Sequence, residues 1–277
     1  MTTRYTPDEL MITYMARQIE PGDYVVQGMA TPMVFSAFLL AKVTHAPDVQ
    51  FMYTAGNSVS QRMAQLSLTN IERVTVAGAL RRVRMTEMHC DLTPVFQAKE
   101  FIRPAQVDGK GNTNNVVIGP FEQPKVRLPG CGGISDVTNF NPRLYVYVPR
   151  HSRRSLVEKL DFCSGVGYGD GPGHRVKMGL PAEGVQKIIT NLCIFKFENE
   201  AVILESLHPG VTLEQVRAAT GFDFEAPSLP KVTQPPTSEE LQLLREQIDP
   251  LGVRLLETLE GSARLQKIKE ILAREQG

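Results

Sequence analysis

The spacing of apolar residues changes several times near the start of the chain, and each change predicts a different element. After the capping signal at residues 6–9, apolar side chains recur at helical spacing over 10–19, which predicts a first helix. The continuous apolar run at 24–27 is typical of a buried strand. A second helix is predicted over 33–43 and a second strand over 49–54. The chain therefore begins as helix, strand, helix, strand.

Five more strand-like runs follow, with helix-like stretches between several of them. These runs cover residues 74–77, 116–118, 144–148, 188–197 and 201–204. Thr212 and Gln215 form a capping box, which predicts a helix over 213–220. Strands that alternate with helices predict an α/β fold, with an open, largely parallel sheet flanked by helices.

The composition of the sequence changes towards the C-terminus. Residues 226–236 contain four prolines and predict an extended strap. Residues 237–276 carry leucines at helical spacing among charged residues, which predicts two amphipathic helices broken at 249–252. We therefore expect an α/β domain over 1–225, then the strap, then a helical extension over 237–277. That extension packs on its own domain or contacts another subunit.

The overall composition and charge are those of an ordinary globular protein. Of the 277 residues, 42% are apolar and 22% are charged, and the 30 basic residues balance the 30 acidic ones. A balanced charge gives no overall field that attracts nucleic acid or an anionic membrane. No apolar run reaches the length of about 18 residues that spans a bilayer, and the first residues lack a signal sequence. We expect a cytoplasmic protein with no membrane or nucleic-acid partner.

The cysteines give no sign of a metal site. Four occur, far apart and without a C-x-x-C pair. They are Cys90, Cys131, Cys163 and Cys193. We therefore expect neither zinc nor a disulfide framework.

The most informative local cluster is Leu128-Pro129-Gly130-Cys131-Gly132-Gly133. Its three glycines in four residues allow positive φ values and let backbone N–H groups converge on an anion or a developing oxyanion. A plain tight loop explains the same composition equally well. Neither G-x-G-x-x-G nor G-x-x-x-x-G-K-[ST] occurs, so no nucleotide site is indicated.

Two further clusters contain glycine beside polar residues. Residues 106–115 include Asn112 and Asn114. The Asp-Gly and Gly-Asn pairs of this segment favour a reverse turn. Alternatively, these amides hydrogen-bond a substrate. Residues 165–173 contain five glycines and form either a mobile loop over a site or a plain flexible connection.

Several separated motifs, in order, resemble the B subunits of class I coenzyme A-transferases, glutaconate coenzyme A-transferase in particular. The central matches are Gln106-Val107-Asp108, Gly111-Asn112, Asn114, Ile118-Gly119, Pro124 and Leu128-Pro129-Gly130-Cys131-Gly132-Gly133. Later matches are Ser206-Leu207-His208-Pro209-Gly210-Val211-Thr212 and Ile248-Asp249-Pro250. The resemblance implies an α/β subunit that pairs with a separate A subunit, as an A2B2 heterotetramer. It also implies an acyl-coenzyme A substrate, bound where the two subunits meet.

The resemblance also implies roles for individual residues. It implies that six residues of the central matches hold coenzyme A or the oxyanion that develops at its thioester. They are Gly130, Cys131, Gly132, Gly133, Asn112 and Asn114. The family's B subunit normally supplies a glutamate that attacks the thioester, at the end of the strand after the segment matched by residues 46–48. Thr54 stands at that position here, and no Asp or Glu lies between Asp48 and Glu72. Hydrolase or lyase chemistry is therefore favoured over covalent transfer.

Relatives of two kinds also lack this glutamate: a ring-opening hydrolase of steroid breakdown and a decarboxylase of 3-methylglutaconyl-coenzyme A. A true transferase whose carboxylate comes from the partner chain is an alternative, and so is a noncatalytic partner that binds coenzyme A. The Thr54 hydroxyl either bonds the backbone at the strand end or contacts the acyl group or a water. Arg150, Arg153 and Arg154 around His151 form either a solvated loop or a contact to the coenzyme phosphates.

Overall fold

The structure, a computed structural model, describes residues 4–70, 75–180 and 183–276. The chain divides into two compact units. Unit 1 combines Met1–Leu92 with Pro235–Gly277, and unit 2 is Thr93–Gln234. The C-terminal extension therefore belongs to the same unit as the N-terminal helices and strands.

Within the described residues of unit 1, four strands neighbour one another in chain order. They are β1 (Tyr24–Gln27), β2 (Gln50–Tyr53), β3 (Ser58–Ser60) and β4 (Arg81–Arg82). Strands β1 and β2 are parallel, with Gln27 opposite Tyr53, and the other two pairings are antiparallel. Because β1 and β2 are parallel, their carboxyl ends lie at the same edge of the sheet, where ligands commonly bind in α/β proteins.

Helices α1 (Pro7–Ala16) and α2 (Pro32–Thr44) contact each other in unit 1. Both were predicted. The N-terminus of α1 follows its capping signal, because the Thr6 backbone N–H donates to Glu9 Oε2 at 3.0 Å. Helix α2 has apolar side chains on almost every face, and those of Val34, Phe38 and Leu39 are fully buried. It is therefore a core helix.

The C-terminal extension is helical, and its predicted break is confirmed. An α-helix at Ser238–Gln242 continues as a π-helix at Leu243–Ile248, and after the break come a 3₁₀ helix at Val253–Glu257 and an α-helix at Gly261–Gln276. At the break, the Asp249 carboxylate accepts hydrogen bonds from the backbone N–H groups of Val253 and Arg254, at 2.7 and 3.0 Å. The extension packs against the N-terminal part of its own unit.

Unit 2 contains the remaining strands. Six of them are β5 (Lys99–Ile102), β10 (Arg143–Val148), β11 (Lys187–Thr190), β12 (Cys193–Glu198), β13 (Ala201–Leu207) and β14 (Lys231–Val232). They neighbour one another in the order β14-β13-β12-β11-β10-β5. Two small hairpins pair β6 (Gln106–Val107) with β7 (Thr113–Asn114), and β8 (Val117–Ile118) with β9 (Val126–Arg127). β5, β10 and β11 are parallel neighbours, whereas β11, β12 and β13 are antiparallel.

Two helices of unit 2 contribute to the core on this sheet. Ile134–Phe140 buries Val137 and Leu213–Ala219 buries Val216, both among sheet residues such as Leu144 and Phe195. The predicted capping box is confirmed, since the Thr212 side chain accepts from the Gln215 backbone N–H. Shorter helical segments are Glu87–Leu92 (π), which belongs to unit 1, and Thr93–Val95 and His174–Lys177.

Two strand predictions are wrong. Residues 75–78 form a helical turn instead of the strand predicted over 74–77, and Val74 lies outside the described residues. The single strand predicted over 188–197 is a hairpin of β11 and β12, because the Thr190 hydroxyl accepts from the backbone N–H groups of Leu192 and Cys193 and turns the chain. The proline-rich strap forms a parallel pairing, β14 with β13.

The predicted α/β fold, a sheet flanked by helices with a helical C-terminal extension, is confirmed. The sheet is mixed, with parallel pairs in the β1–β2 and β5–β10–β11 groups. Within the described residues, no helix combines the length and the apolar character that a membrane crossing requires.

Candidate functional site

Thr54 lies directly after β2, at the strand end expected from the sequence. Its backbone N–H and its hydroxyl both donate to the backbone oxygen of Gln27, at 3.2 and 2.8 Å. The side chain is 8% exposed. The hydroxyl therefore bonds the backbone of the neighbouring parallel strand, which is one of the two arrangements expected for it.

Three buried polar atoms at or next to these strand ends form no hydrogen bond with any described residue. They are Gln27 Oε1, Tyr53 Oη and Asn57 Oδ1. Burial raises the pKa of the Tyr53 hydroxyl, so it stays protonated. Buried polar atoms are nearly always paired, so each unpaired one requires an explanation, such as a bound water or a role in catalysis. Sequence reasoning missed these residues, because an isolated Gln, Tyr or Asn has no motif.

Two residues with side chains adopt positive φ beside the same strand ends. Ala30 has φ +56° in the loop of residues 28–31, which joins β1 to α2, and Asn57 has φ +46° before β3. This conformation is costly for alanine and persists only where the surrounding structure holds it. We refer to residues 28–31 as the 28–31 loop.

The glycine loop at residues 130–133 belongs to unit 2. Gly130, Gly132 and Gly133 have φ values of +107°, +44° and +93°. The Gly130 N–H donates to the Asn115 oxygen at 3.0 Å. Among the described residues, none accepts a hydrogen bond from the N–H groups of Cys131, Gly132 or Gly133. Consecutive N–H groups without a protein acceptor in a glycine-rich turn are donors that an anion can use.

Asn112 ties together two of the glycine-containing clusters. Its Oδ1 accepts from the Gly167 and Gly169 N–H groups, at 2.9 and 3.0 Å. Its Nδ2 donates to Asp108 Oδ2 and to the Gly169 oxygen, at 2.9 and 2.8 Å. The amide of Asn112 therefore anchors the 165–173 stretch on the 106–115 turn.

Asn114 is held in the same way inside the hairpin. Its Nδ2 donates to Gln106 Oε1 and to the Val117 oxygen, both at 2.7 Å. Its Oδ1 accepts from the Val116 N–H at 2.9 Å. Both amide atoms thus bond within the protein, and they join β7 to Gln106 of β6 and to Val117 of β8.

A cavity of about 660 Å³ opens beside Asn112 in unit 2. Its lining includes Asp108, Lys110, Asn112, Cys163, Gly169 and His174. Burial raises the pKa of Asp108, although hydrogen bonds from Asn112 and from nearby backbone N–H groups oppose this effect. Burial and the neighbouring Asp108 also raise the pKa of the Cys163 thiol, which disfavours the reactive thiolate.

His151, expected within a basic patch, is buried instead. Its two ring nitrogens are hydrogen-bonded to the Thr190 and Thr220 hydroxyls, both at 2.9 Å. His208 is likewise buried, bonded to the Thr233 hydroxyl and the Thr190 oxygen at 3.0 and 2.7 Å. Burial lowers the pKa of each to about 4, so both rings are neutral at pH 7. The two histidines are part of the core of unit 2.

Asn112, Asn114 and the glycine loop all belong to unit 2. The loop is hydrogen-bonded next to Asn114, through the Gly130 N–H and the Asn115 oxygen. Thr54 belongs to the other unit. Within the described ranges, no group of three or more His, Cys, Asp or Glu side chains is arranged to hold a metal ion.

Most of the chain matches one known protein family. Residues 9–219 match the family described as Coenzyme A transferase. The chain is 35% identical over 251 residues to the B subunit of 3-oxoadipate CoA-transferase from Pseudomonas knackmussii, covering 87% of this chain and 92% of that protein. It is 29% identical over 255 residues to the B subunit of glutaconate CoA-transferase from Acidaminococcus fermentans, covering 90% and 94%.

Two further matches carry other activities in their names. The Cholesterol ring-cleaving hydrolase IpdB subunit of Mycobacterium tuberculosis is 31% identical over 244 residues, covering 85% of this chain and 91% of that protein. Among solved structures, the decarboxylase AibA/AibB superposes with a TM-score of 0.78 at 27% identity, covering 91% of this chain and 98% of that one.

Proposed function

The chain belongs to the coenzyme A transferase family as a B-type subunit, and from that premise we propose that it processes an acyl-coenzyme A by hydrolysis or decarboxylation instead of covalent transfer. The observation that carries the proposal is the end of β2. Thr54 occupies it with a hydroxyl that donates to the Gln27 backbone, and no Asp or Glu lies between Asp48 and Glu72. A covalent acyl intermediate of the family's kind needs a carboxylate nucleophile, and this segment supplies none.

Each reaction without a covalent intermediate needs negative charge to be stabilised on the bound acyl group. The free N–H groups of Cys131, Gly132 and Gly133 are suited to this task, or to a coenzyme phosphate. Preorganised backbone donors can lower a barrier by roughly 3 kcal/mol each. In this proposal Asn112 and Asn114 shape the loops that carry these donors, since their amides already bond protein atoms.

Gln27, Tyr53 and Asn57 are the polar groups available at the strand ends for the acyl group or for an attacking water. Their unpaired atoms are Gln27 Oε1, Tyr53 Oη and Asn57 Oδ1. The neutral Tyr53 hydroxyl can donate a hydrogen bond, and Gln27 Oε1 can accept one from water.

The proposed partner is an A subunit of the same family, in an A2B2 heterotetramer. The relatives support this, because they are named as B subunits or, for AibA/AibB, as a two-protein enzyme. We propose that the active site is complete only when both chains are present.

The decisive experiment uses the chain copurified with the A-type subunit of the same organism. A panel of cyclic, branched and dicarboxylic acyl-coenzyme A esters is assayed for hydrolysis, carbon dioxide release and exchange to free carboxylates. We expect one of the first two activities and no protein adduct. A hydroxylamine-sensitive acyl adduct on this chain, found by mass spectrometry, would contradict the proposal.

A transferase is the second candidate, because the B subunit of 3-oxoadipate CoA-transferase is 35% identical to this chain. Its carboxylate would then come from the A subunit. Exchange activity with the adduct on the A subunit would establish this alternative. A third candidate, a noncatalytic partner that binds coenzyme A, would be supported if alanine at Thr54, Gln27 and Tyr53 left the turnover of the complex unchanged.

A further inference from the structure

A carboxylate of the C-terminal extension bonds the start of helix α2. The Met33 backbone N–H donates to Glu257 Oε1 at 2.8 Å, and the bond is buried. Glu257 itself is 4% exposed. The first N–H groups of a helix have no partner within the helix, so they need an acceptor from elsewhere. A buried acceptor at this point therefore fixes where α2 begins.

The 3₁₀ helix that carries Glu257 is itself fixed. Arg254 forms ion pairs with Asp8 at 3.0 Å and with Asp249 at 3.0 Å, and its side chain is 9% exposed. Arg254 also donates to Glu9 Oε1 at 3.1 Å. These contacts join the extension to helix α1. Removing one partner of a buried ion pair leaves an uncompensated charge, so these contacts hold the 3₁₀ helix against α1.

The 28–31 loop lies between two held points. Its start follows Gln27, whose backbone oxygen accepts two hydrogen bonds from Thr54. Its end leads into Met33, which Glu257 holds. Between them, the Thr31 hydroxyl donates to the Gly28 oxygen at 3.0 Å, and Ala30 adopts φ +56°. A strained residue such as Ala30 keeps its conformation only while the surrounding structure holds it.

We propose that Glu257 is a positioning residue that acts through the first turn of α2 to hold the 28–31 loop beside the strand ends. The C-terminal extension is then part of the scaffold of the catalytic site. This inference rests on the proposed function, because the loop affects turnover only if the strand ends belong to the acyl site. Glu257 touches neither the substrate nor the reacting atoms in this scheme.

The test uses the copurified complex and three substitutions, Glu257→Gln, Glu257→Asp and Glu257→Ala. Glutamine keeps an acceptor oxygen at the same reach, whereas aspartate is one methylene too short. Glu239→Ala, an exposed position at the start of the extension, is the matched control. The readouts are hydrogen exchange of the peptide covering residues 28–36, binding of free coenzyme A, and kcat and KM with the fastest ester of the panel.

We expect Glu257→Asp and Glu257→Ala to increase exchange in that peptide and to lower kcat by roughly tenfold, with KM and coenzyme A binding changed less than about threefold. Glu257→Gln and the Glu239→Ala control should match the wild type within about threefold. Equal loss in the Gln and Asp variants would overturn the inference, because a lost acceptor would no longer be the cause. Unchanged kcat in Glu257→Asp with faster exchange would overturn it too.

Failure of the inference is distinguishable from failure of the proposed function. Hydrogen exchange needs no substrate, so it tests the hold on the 28–31 loop even if every ester of the panel is inert. If Glu257→Ala does not fold, the comparison of Glu257→Gln with Glu257→Asp still tests whether an acceptor at this reach holds the loop. Exchange that rises equally throughout unit 1, instead of within residues 28–36, would reduce Glu257 to a general stability role and overturn the inference.

Discussion

Thr54 and Gln27 are joined by two hydrogen bonds, because the backbone N–H and the hydroxyl of Thr54 donate to the same backbone oxygen of Gln27. The contact links the carboxyl ends of two parallel strands at the position where the family resemblance implies a nucleophile. The hydroxyl therefore has a structural role, because it donates to the Gln27 backbone. An experiment on its part in the reaction has to separate the loss of this hydrogen bond from the loss of turnover.

Thr54→Val keeps the shape of the side chain and removes the hydroxyl. We expect a loss of about 1 kcal/mol in the free energy of unfolding, since one buried hydrogen bond is lost while the backbone bond remains. Urea unfolding of the complex measures this loss, and Thr54→Ser is the control that keeps the donor. If the Val variant loses turnover without losing stability, the hydroxyl acts on the substrate.

Thr54→Glu would return a carboxylate to the end of β2. If Thr54 occupies the nucleophile's position, this variant should form an acyl adduct and gain exchange to free carboxylates, because the carboxylate can attack the thioester. Mass spectrometry after incubation with the panel esters detects the adduct. Thr54→Gln has the same size and no nucleophile, so an adduct there as well would point to another residue.

Gly130→Ala should weaken binding of coenzyme A. Gly130 has φ +107°, which an alanine adopts only with strain, although no atom lies close enough to a new Cβ to clash. The loop would shift and its free N–H groups would move. Calorimetry with free coenzyme A measures binding, and Gly132→Asn is the control, because asparagine tolerates a φ of +44°. Equal losses in both variants would contradict this account.

Acid should destabilise unit 2 through His151 and His208. Burial lowers the pKa of each to about 4 from an ordinary 6.5, so the unfolded chain takes up protons first as the pH falls. The contribution of these two neutral histidines to the free energy of unfolding is fully present above pH 6.5. It is lost as the pH falls towards 4, by up to about 1.4 kcal/mol per pH unit for each histidine. Denaturant unfolding between about pH 7 and 5 measures the slope, which His208→Gln should reduce. An unchanged slope would mean that other groups cause it.

Glu100 should have the opposite pH dependence. Burial raises its pKa from 4.5 to about 8, and its Oε2 has no hydrogen-bond partner among the described residues. The unfolded chain releases this proton first, so stability falls as the pH rises from 4.5 to about 8. Glu100→Gln should therefore stabilise the protein at pH 7 by on the order of 1 to 3 kcal/mol. The difference should vanish near pH 4, which serves as the internal control.

The sequence by itself determined the features whose signals are local. The capping box at Thr212, the break at Asp249 and the family motifs around Gly130 each lie within a few neighbouring residues, and the described structure bears out the helix and the break. Strand boundaries were less reliable. In the sequence, the hairpin of β11 and β12 looks like a single strand, because no glycine or proline marks its turn. The turn is made instead by the Thr190 hydroxyl, which accepts from two backbone N–H groups.

Only the tertiary structure decided which distant residues meet. Thr54 meets the backbone of Gln27, and Glu257 meets Met33, which is 224 positions away. His151 lies in an arginine-rich segment but is buried between two threonines. Such contacts depend on which strands and helices pack together. The apolar periodicity around a residue predicts the element it belongs to, but not the distant residue it meets. The family and the lack of acidic residues after β2 are thus legible in the sequence, whereas the contacts that hold the strand ends in place exist only in the folded chain.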